Sequence, residues 1–385
     1  MGTRIGKAGG IFPLESHPAF TRWEDPESGA VSYILTKRIA EYQKAWYFME
    51  PGLRGGNPAL WFYACHPPAK QWYSCAVRLD ADDPEIKAFP NTLANGNPML
   101  APGGDTAYVP VEDGIHEQSL DGTCRERFRL PPDVLGGRHL FSLVTDLNLS
   151  CDGKTFLLDC QIGNRWLIAT VDRESGAFRP LRWFGNRHHH AVFSKHDPDL
   201  FMVNLGHWTD PITGDKFQMN NRIWIMDTKL TRYAPLLPDA WFGQNSATCH
   251  EWWTPEGRIA YCDYTQGVLE TDPDTRQTRM LWERHCTHAQ SDPTHRFFVG
   301  DHGCYKWNAK EPCSVWFFNS ETGRETPVVT RMPPPPMAWR DFRAYHIDPH
   351  PCFSGDGEWI TYTTTAPGFL TVALAPVAHL TTQTS

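Results

Sequence analysis

No run of about 18 or more consecutive apolar residues occurs, which excludes a membrane-spanning helix. Basic residues are outnumbered: 36 Lys and Arg stand against 44 Asp and Glu, giving a net charge of −8 and a pI near 6.1. A nucleic-acid-binding chain needs a basic face, so none is expected here. Cysteine is sparse and odd in number, 11 in 385 residues without regular spacing. That excludes a full disulfide framework and suits a reducing compartment. The start, Met1 to His17, lacks the apolar core of a signal peptide, so a cytoplasmic location is expected. There is no phosphate-binding Gly-rich loop, no paired-Cys zinc-finger spacing and no Gly-x-Ser-x-Gly nucleophile elbow. An appended peptidase domain of the α/β-hydrolase type is thereby excluded.

Turn formers and aromatics are plentiful: 30 Gly, 32 Pro and 16 Trp, with 13% aromatics. This suits an all-β chain with many turns. One pattern recurs seven times: a small, acidic, Gly-containing turn followed by a short aromatic or β-branched run. The turns are Gly55-Gly56-Asn57, Pro102 to Asp105, Ser150 to Gly153, Ser194 to Asp197, Thr254 to Gly257, Ser291 to Thr294 and Ser354 to Gly357. Partner runs end in Asp or Asn, as in Leu167–Asp172, Ile223–Asp227 and Val315–Asn319, and pass into hairpin turns such as Glu174-Ser175-Gly176. Units of this size, about 40–50 residues with loop insertions, predict a seven-bladed β-propeller. Each small sheet has two apolar faces, and radial packing buries both. The blades span roughly 38–385, and residues 29–36 form an N-terminal strand closing the ring within one 1–385 propeller domain. Two separate β domains are the alternative, but no linker breaks the repeat. The four consecutive prolines between Arg331 and Met337 read as a loop.

Histidine concentrates in four segments: Arg187 to His190, Cys249 to Trp253, His285 to His288 and His346 to Cys352. Each precedes a repeat turn, at equivalent places in blades four to seven, so ligands distant in sequence converge on one channel. A single His in a β protein is ordinarily a structural residue with a backbone partner, and His188 and His189 are read as structural or surface residues. His288 with His346 and His350 reads as a metal-binding set. His346 and His350 share a face only on a helix, which Asp348-Pro349 opposes, so Asp348 and His350 form the better pair on an extended segment. Cys286 and Cys352 offer a softer, zinc-favouring alternative, whereas His with carboxylate suits harder divalent cations. In residues 38–140, Lys44, Trp46 and Arg54 are candidates to reach the channel.

Several stretches resemble oligogalacturonate lyases, seven-bladed propeller enzymes acting on short pectin fragments. His250-Glu251-Trp252-Trp253-Thr254-Pro255-Glu256-Gly257 is similar to their His-Glu-Phe-Trp-x-Pro-Asp-Gly, and Cys286-Thr287-His288 to Cys-Ser-His. Asp348 to Phe353 is similar to His-Pro-His-Pro-Ser-Phe, Asn221 to Trp224 to Ala-Arg-Met-Trp, and Trp183-Phe184-Gly185 with His190 to a Trp-Leu-Gly-His segment. Asp25 to Ala30 with Leu35-Thr36 matches the opening strand. The resemblance covers most of the chain and is loose over 38–140. It implies a divalent metal, manganese above all, with zinc or calcium as alternatives, held in the family by three His and a Gln. His288 and His350 fall on two of those positions. Asp348 stands where the third His is expected, and Tyr345 where the Gln is, with His346 one residue on as a substitute ligand. His250 corresponds to the family's base and Arg222 to its carboxylate-facing Arg. His190, Arg222 and Tyr345 are the implied substrate contacts. The implied activity is β-elimination on a small acidic, uronate-containing oligosaccharide, by a monomer or homodimer with no nucleic-acid or membrane partner. Another sugar-active enzyme, a hydrolase or epimerase, and a non-catalytic binding propeller are the alternatives.

Overall fold

The computed structural model describes residues 14–55, 59–80, 84–206, 208–209, 212–217, 222–238, 248–303, 312–335, 337 and 344–385. Gly56, Asn57 and Asn221, used above, lie outside them. Seven antiparallel sheets of four or five strands follow one another along the chain, with one additional two-stranded ribbon, Trp208–Thr209 with Lys216–Phe217. The chain is a seven-bladed β-propeller. Blades 1 to 6 begin with the strands Tyr42–Lys44, Met99–Leu100, Leu140–Ser142, His188–Phe193, Thr248–Trp253 and Ala289–Ser291. Blade 7 begins at Cys352–Phe353 and is completed from the other end of the chain. Val31–Leu35 pairs with Thr371–Pro376, with Tyr33 opposite Leu374. Phe20–Glu24 adds a further outer strand on Val31–Leu35, beyond the single closing strand expected.

Alternation explains why the second and third strands are apolar on both faces. In blade 3, Phe156, Leu158 and Cys160 join a cluster with Met99, Tyr108 and Ile115 of blade 2. Leu157 and Ile168 turn the other way, against Ala191, Phe193 and Phe201 of blade 4. The same division recurs at Ile259 and Tyr261 against Ala260 and Cys262 in blade 5. A strand's period of two thus feeds two blade interfaces, and each of the seven interfaces holds one apolar cluster.

Two turns carry the repeat. The first leads from a blade's first strand to its second: the amide of Gly153 donates to Ser150, that of Gly257 to Thr254 and that of Gly357 to Ser354, each glycine at positive φ. The second leads to the outer strand. Asp172 Oδ1 accepts the Ser175 amide at 2.8 Å while Gly176 takes φ 71°. Asp25 with Gly29 and Asn319 with Gly323 repeat it. In blade 5 the left-handed position falls to Arg276, at φ 65°, which a side chain adopts at a cost of about 1 kcal/mol. No helix among the described residues is long and apolar enough to cross a membrane.

Candidate metal centre and anion-binding channel

The segment after the first strand of blade 1 enters the central channel instead of turning directly outward. Tyr47 and Phe48 are buried there and pack with Cys352 of blade 7. The Phe48 carbonyl accepts Gln290 Nε2 at 2.8 Å, and Gln290 Oε1 accepts the Phe353 amide at 2.9 Å, tying the segment to blades 6 and 7. Tyr47 forms a floor for histidines from three blades: its ring centroid lies 4.8 Å from that of His350, 6.0 Å from those of His190 and His288, and 6.3 Å from that of His346.

A shared backbone device aims these histidines. His190, His250, His346 and His350 all have positive φ, between 45° and 53°. At His190 and His250 the pairing of the first strand with the second shifts register, between His189 and Val192 and between Cys249 and Trp252. An extra residue in a strand re-aims one side chain out of the pleat. Four non-glycine residues held left-handed at one locus store strain that the surrounding sheets maintain, a pattern that clusters at functional sites.

His288, Asp348 and His350 come together, each offering a ligand atom within 4.8 Å of the others, all three buried. His288 Nδ1 donates to Asp301 Oδ2 at 2.9 Å, leaving Nε2 as the free lone pair. Asp301 also accepts the backbone amides of His288 at 2.8 Å and His350 at 3.2 Å. Its carboxylate thereby fixes the tautomer and direction of the His288 ring and ties down the backbone at His350, a carboxylate support of the kind that holds metal-ligating imidazoles. Nε2 of His350 is buried without a hydrogen-bond partner, 3.9 Å from Asp348 Oδ2. Burial holds His288 neutral, with its pKa pushed down to about 4, and holds His350 well below the ordinary imidazole range, assisted by its imidazole neighbours. Two neutral imidazole lone pairs beside a buried carboxylate, one of them orphaned, fit a hard divalent cation.

His346 sits at the edge: its Nε2 is 3.7 Å from Asp348 Oδ2, its side chain is largely exposed, and it is outside the three-residue group. Tyr345 is buried against Tyr42, with centroids 5.1 Å apart, and its carbonyl accepts Lys44 Nζ at 3.4 Å. The two cysteines do not join the cluster: the Cys286 sulfur packs over Gly300, and Cys352 Sγ lies 3.3 Å from Thr361 Oγ1. All ten described cysteines are free thiols.

His250 adjoins this group, its ring centroid 4.1 Å from that of His288. Its Nδ1 contacts the Thr287 carbonyl, an acceptor, so Nδ1 carries the proton and Nε2 the lone pair. Tyr264 Oη lies 3.0 Å from the same Nδ1. Burial raises the neighbouring Cys249 thiol, but His250 and Arg222 outweigh it and hold it below the usual thiol range, and the same sulfur raises the His250 ring against its own burial. Arg222 is mostly buried, its Nε 3.4 Å from Glu251 Oε2, and Glu251 also contacts the Asn204 amide. Burial opposes the charge on Arg222, yet Glu251 and the nearby thiol and phenols outweigh it and hold the guanidinium ionised. His190 Nδ1 is 2.5 Å from Asp146 Oδ2, and Asp146 Oδ1 accepts Asn97 Nδ2 at 2.8 Å. His188 is structural: it stacks on Phe184 at 3.5 Å, and its Nε2 meets Tyr233 Oη at 2.8 Å. His189 is buried, so neither residue is on the surface.

Among the early candidates, Lys44 is buried at the channel, its Nζ donating to the His346 carbonyl at 3.0 Å and lying 4.3 Å from the Trp72 ring centroid. Trp46 is core, packed between Trp61 and Tyr63, and Arg54 lines a separate cavity with Glu50, Lys195 and Trp253. Asp301, Asp146 and Tyr47 escaped sequence reasoning. The one signal for Asp301 was a carboxylate ending the apolar run Phe297-Phe298-Val299-Gly300.

No family model matches the chain, and no curated protein matches it. Solved structures do. An oligogalacturonate lyase in complex with manganese superposes with a TM-score of 0.73 at 16% identity, covering 93% of this chain and 96% of that one. The oligogalacturonate lyase from Vibrio parahaemolyticus gives 0.73 at 14% identity, with the same coverage. Virginiamycin B lyase from Staphylococcus aureus follows at 0.51 and 10% identity, covering 87% of this chain and 98% of that one. In fold, the chain is a seven-bladed propeller similar along nearly its whole length to the two oligogalacturonate lyases.

Proposed function

We propose that the protein is a metal-assisted lyase that cleaves a small uronate-containing oligosaccharide by β-elimination, leaving an unsaturated product. One observation carries the reading: His288, Asp348 and His350 converge in the channel with His250 at their side. The likeness in fold to an oligogalacturonate lyase in complex with manganese supports it.

The C5 proton of a uronate is weakly acidic because the adjacent carboxylate is already negative. His288, Asp348 and His350 would hold a divalent cation, manganese being favoured by the hard carboxylate, and that ion would supply charge neutralisation at the uronate carboxylate. Arg222 adds a fixed guanidinium that Glu251 keeps oriented, able to engage a carboxylate through two N–H groups. Such preorganised charge is worth most where water is excluded. His250, with Nδ1 committed to Thr287, presents Nε2 to take the proton. General-base removal is worth about 10²–10⁴ in rate. The electron pair left at C5 forms the double bond to C4, and the 4-oxygen leaves and takes up a proton. His190, fixed by Asp146, and Tyr345 complete the reading as substrate contacts.

The test is growth of the enoate chromophore when the manganese-loaded protein meets oligogalacturonate. His250→Asn, which suits the left-handed backbone there, is expected to lose at least about a hundredfold in turnover. Saturated products would indicate a hydrolase or epimerase instead, and absence of any product a binding propeller.

A further inference from the structure

Two cysteines face each other inside blade 5. Cys249, on the first strand, stands directly opposite Cys262 on the second. Opposite residues on neighbouring strands share a face of the sheet. Here it is the face packed on blade 6, where Cys262 joins an apolar cluster with Trp252, Cys286 and Phe298. Such opposite pairs hold their Cβ atoms about 4.5–5.5 Å apart. A disulfide needs them about 3.5–4.5 Å apart, so a closure of about 1 Å would join the pair. The ladder can give there, because its register shifts between Cys249 and Trp252, immediately beyond the pair. Both residues are free thiols in the structure.

The two sulfurs differ in reactivity. Cys262 is fully buried, and burial holds its thiol well above the ordinary range. Cys249 keeps part of its surface exposed. Burial and Glu251 oppose its thiolate, but His250 and Arg222 outweigh them. Burial without such basic neighbours raises the thiols of Cys75, Cys160 and Cys352. A partly exposed thiol beside basic groups, with a second thiol within reach, has the surroundings of an oxidisable cysteine.

We infer that Cys249 and Cys262 form a dithiol that hydroperoxides oxidise to a disulfide across the ladder of blade 5. In the first step the Cys249 sulfur attacks one oxygen of the hydroperoxide and the O–O bond breaks. The sulfur becomes a sulfenic acid, and the other oxygen leaves as an alcohol, or as water from hydrogen peroxide, carrying the thiol proton. In the second step the Cys262 sulfur attacks the sulfenic sulfur and the S–O bond breaks. The departing hydroxide takes the Cys262 proton and leaves as water. Two sulfurs are oxidised and one peroxide is reduced. His250 follows Cys249 in the strand, and its left-handed backbone sets the aim of its ring. Drawing Cys249 towards Cys262 therefore moves the proposed base. The dithiol goes beyond the lyase reading, and only its effect on turnover rests on that reading.

The test exposes the full chain, reduced and then freed of reductant, to hydrogen peroxide, blocks the remaining thiols with N-ethylmaleimide and maps the peptides by mass spectrometry. A peptide pair linking Cys249 to Cys262 is expected, and dithiothreitol should abolish it. Cys249 should be consumed at least about tenfold faster than the exposed Cys151, in line with a thiol held towards its thiolate. In Cys262→Ala, dimedone should trap the sulfenic acid on Cys249, and Cys249→Ser should form no link at Cys262. The link and the rates are read in the wild-type chain, so a variant that fails to fold leaves the test intact. A Cys249 no faster than Cys151, a link from Cys262 to Cys286, or a wild-type Cys249 that stays sulfenic would overturn the dithiol. Enoate formation should fall with the linked fraction and return with dithiothreitol. Unchanged turnover in fully linked protein would overturn the effect on His250. If reduced wild type yields no enoate yet the reversible link forms, the dithiol stands and the lyase reading falls.

Discussion

Asp301 Oδ2 lies 2.9 Å from Nδ1 of His288, and the same carboxylate receives the amide of His350 from the next blade. A single buried acid thus sets the direction of the His288 ring and anchors the backbone of His350, two residues distant in sequence. Asp301→Asn should keep the fold but blur the tautomer and tilt of His288, because an amide nitrogen can face Nδ1. Manganese affinity, measured by titration calorimetry, is expected to fall about 10–100-fold.

Glu251 is the counter-ion of Arg222, and its side chain is only 3% exposed. Glu251→Ala leaves the guanidinium partly buried without its acid. Breaking such a pair should cost about 3 kcal/mol in chemical denaturation. Turnover should also fall, since Arg222 loses the contact that orients it.

His188 offers a pH test away from the cluster. Burial pushes its pKa down from 6.5 to about 4. Between those values the unfolded chain binds a proton that the folded chain does not. Stability is therefore lost as pH falls from 6.5 to 4, by roughly 3 kcal/mol from this residue. His188→Phe should flatten the acid limb of melting temperature against pH, whatever it does to stability at neutral pH.

The ring is closed by chain from both ends, so its stability depends on the beginning of the chain. Removing residues 1–36 strips two strands from blade 7 and exposes Thr371–Pro376 as an edge. The truncated protein is expected to lose cooperative thermal unfolding and to aggregate.

The blade repeat was legible because the turns obey local chemistry. An Asp or Asn accepting amides two or three residues on, followed by Gly, signals itself in sequence, as at Asp172 to Gly176. The blades where Arg276 and Leu230 take the left-handed position carry a weaker signal for the same reason. The second strand on the closing edge, Phe20–Glu24, was missed because its exposed residues lack a plain apolar alternation. Histidine segments stood out by sharing a phase of the repeat. What holds them did not: Asp146, Asp301 and Tyr47 come from other segments, and only the closed ring brings them alongside. The left-handed backbone at His190, His250 and His350 is likewise unreadable in sequence, since nothing in those residue types demands it.

The central claim is that the convergent histidines and Asp348 hold a cation that lets His250 take a proton from a uronate. The most direct measurement is enoate formation from oligogalacturonate by chelator-treated protein, before and after manganese is restored, in wild type and in Asp348→Ala. The account predicts no product without the cation, full recovery in wild type on its return, and little recovery in the variant. Equal rates with and without the cation, or no enoate from the manganese-loaded wild type, would contradict it.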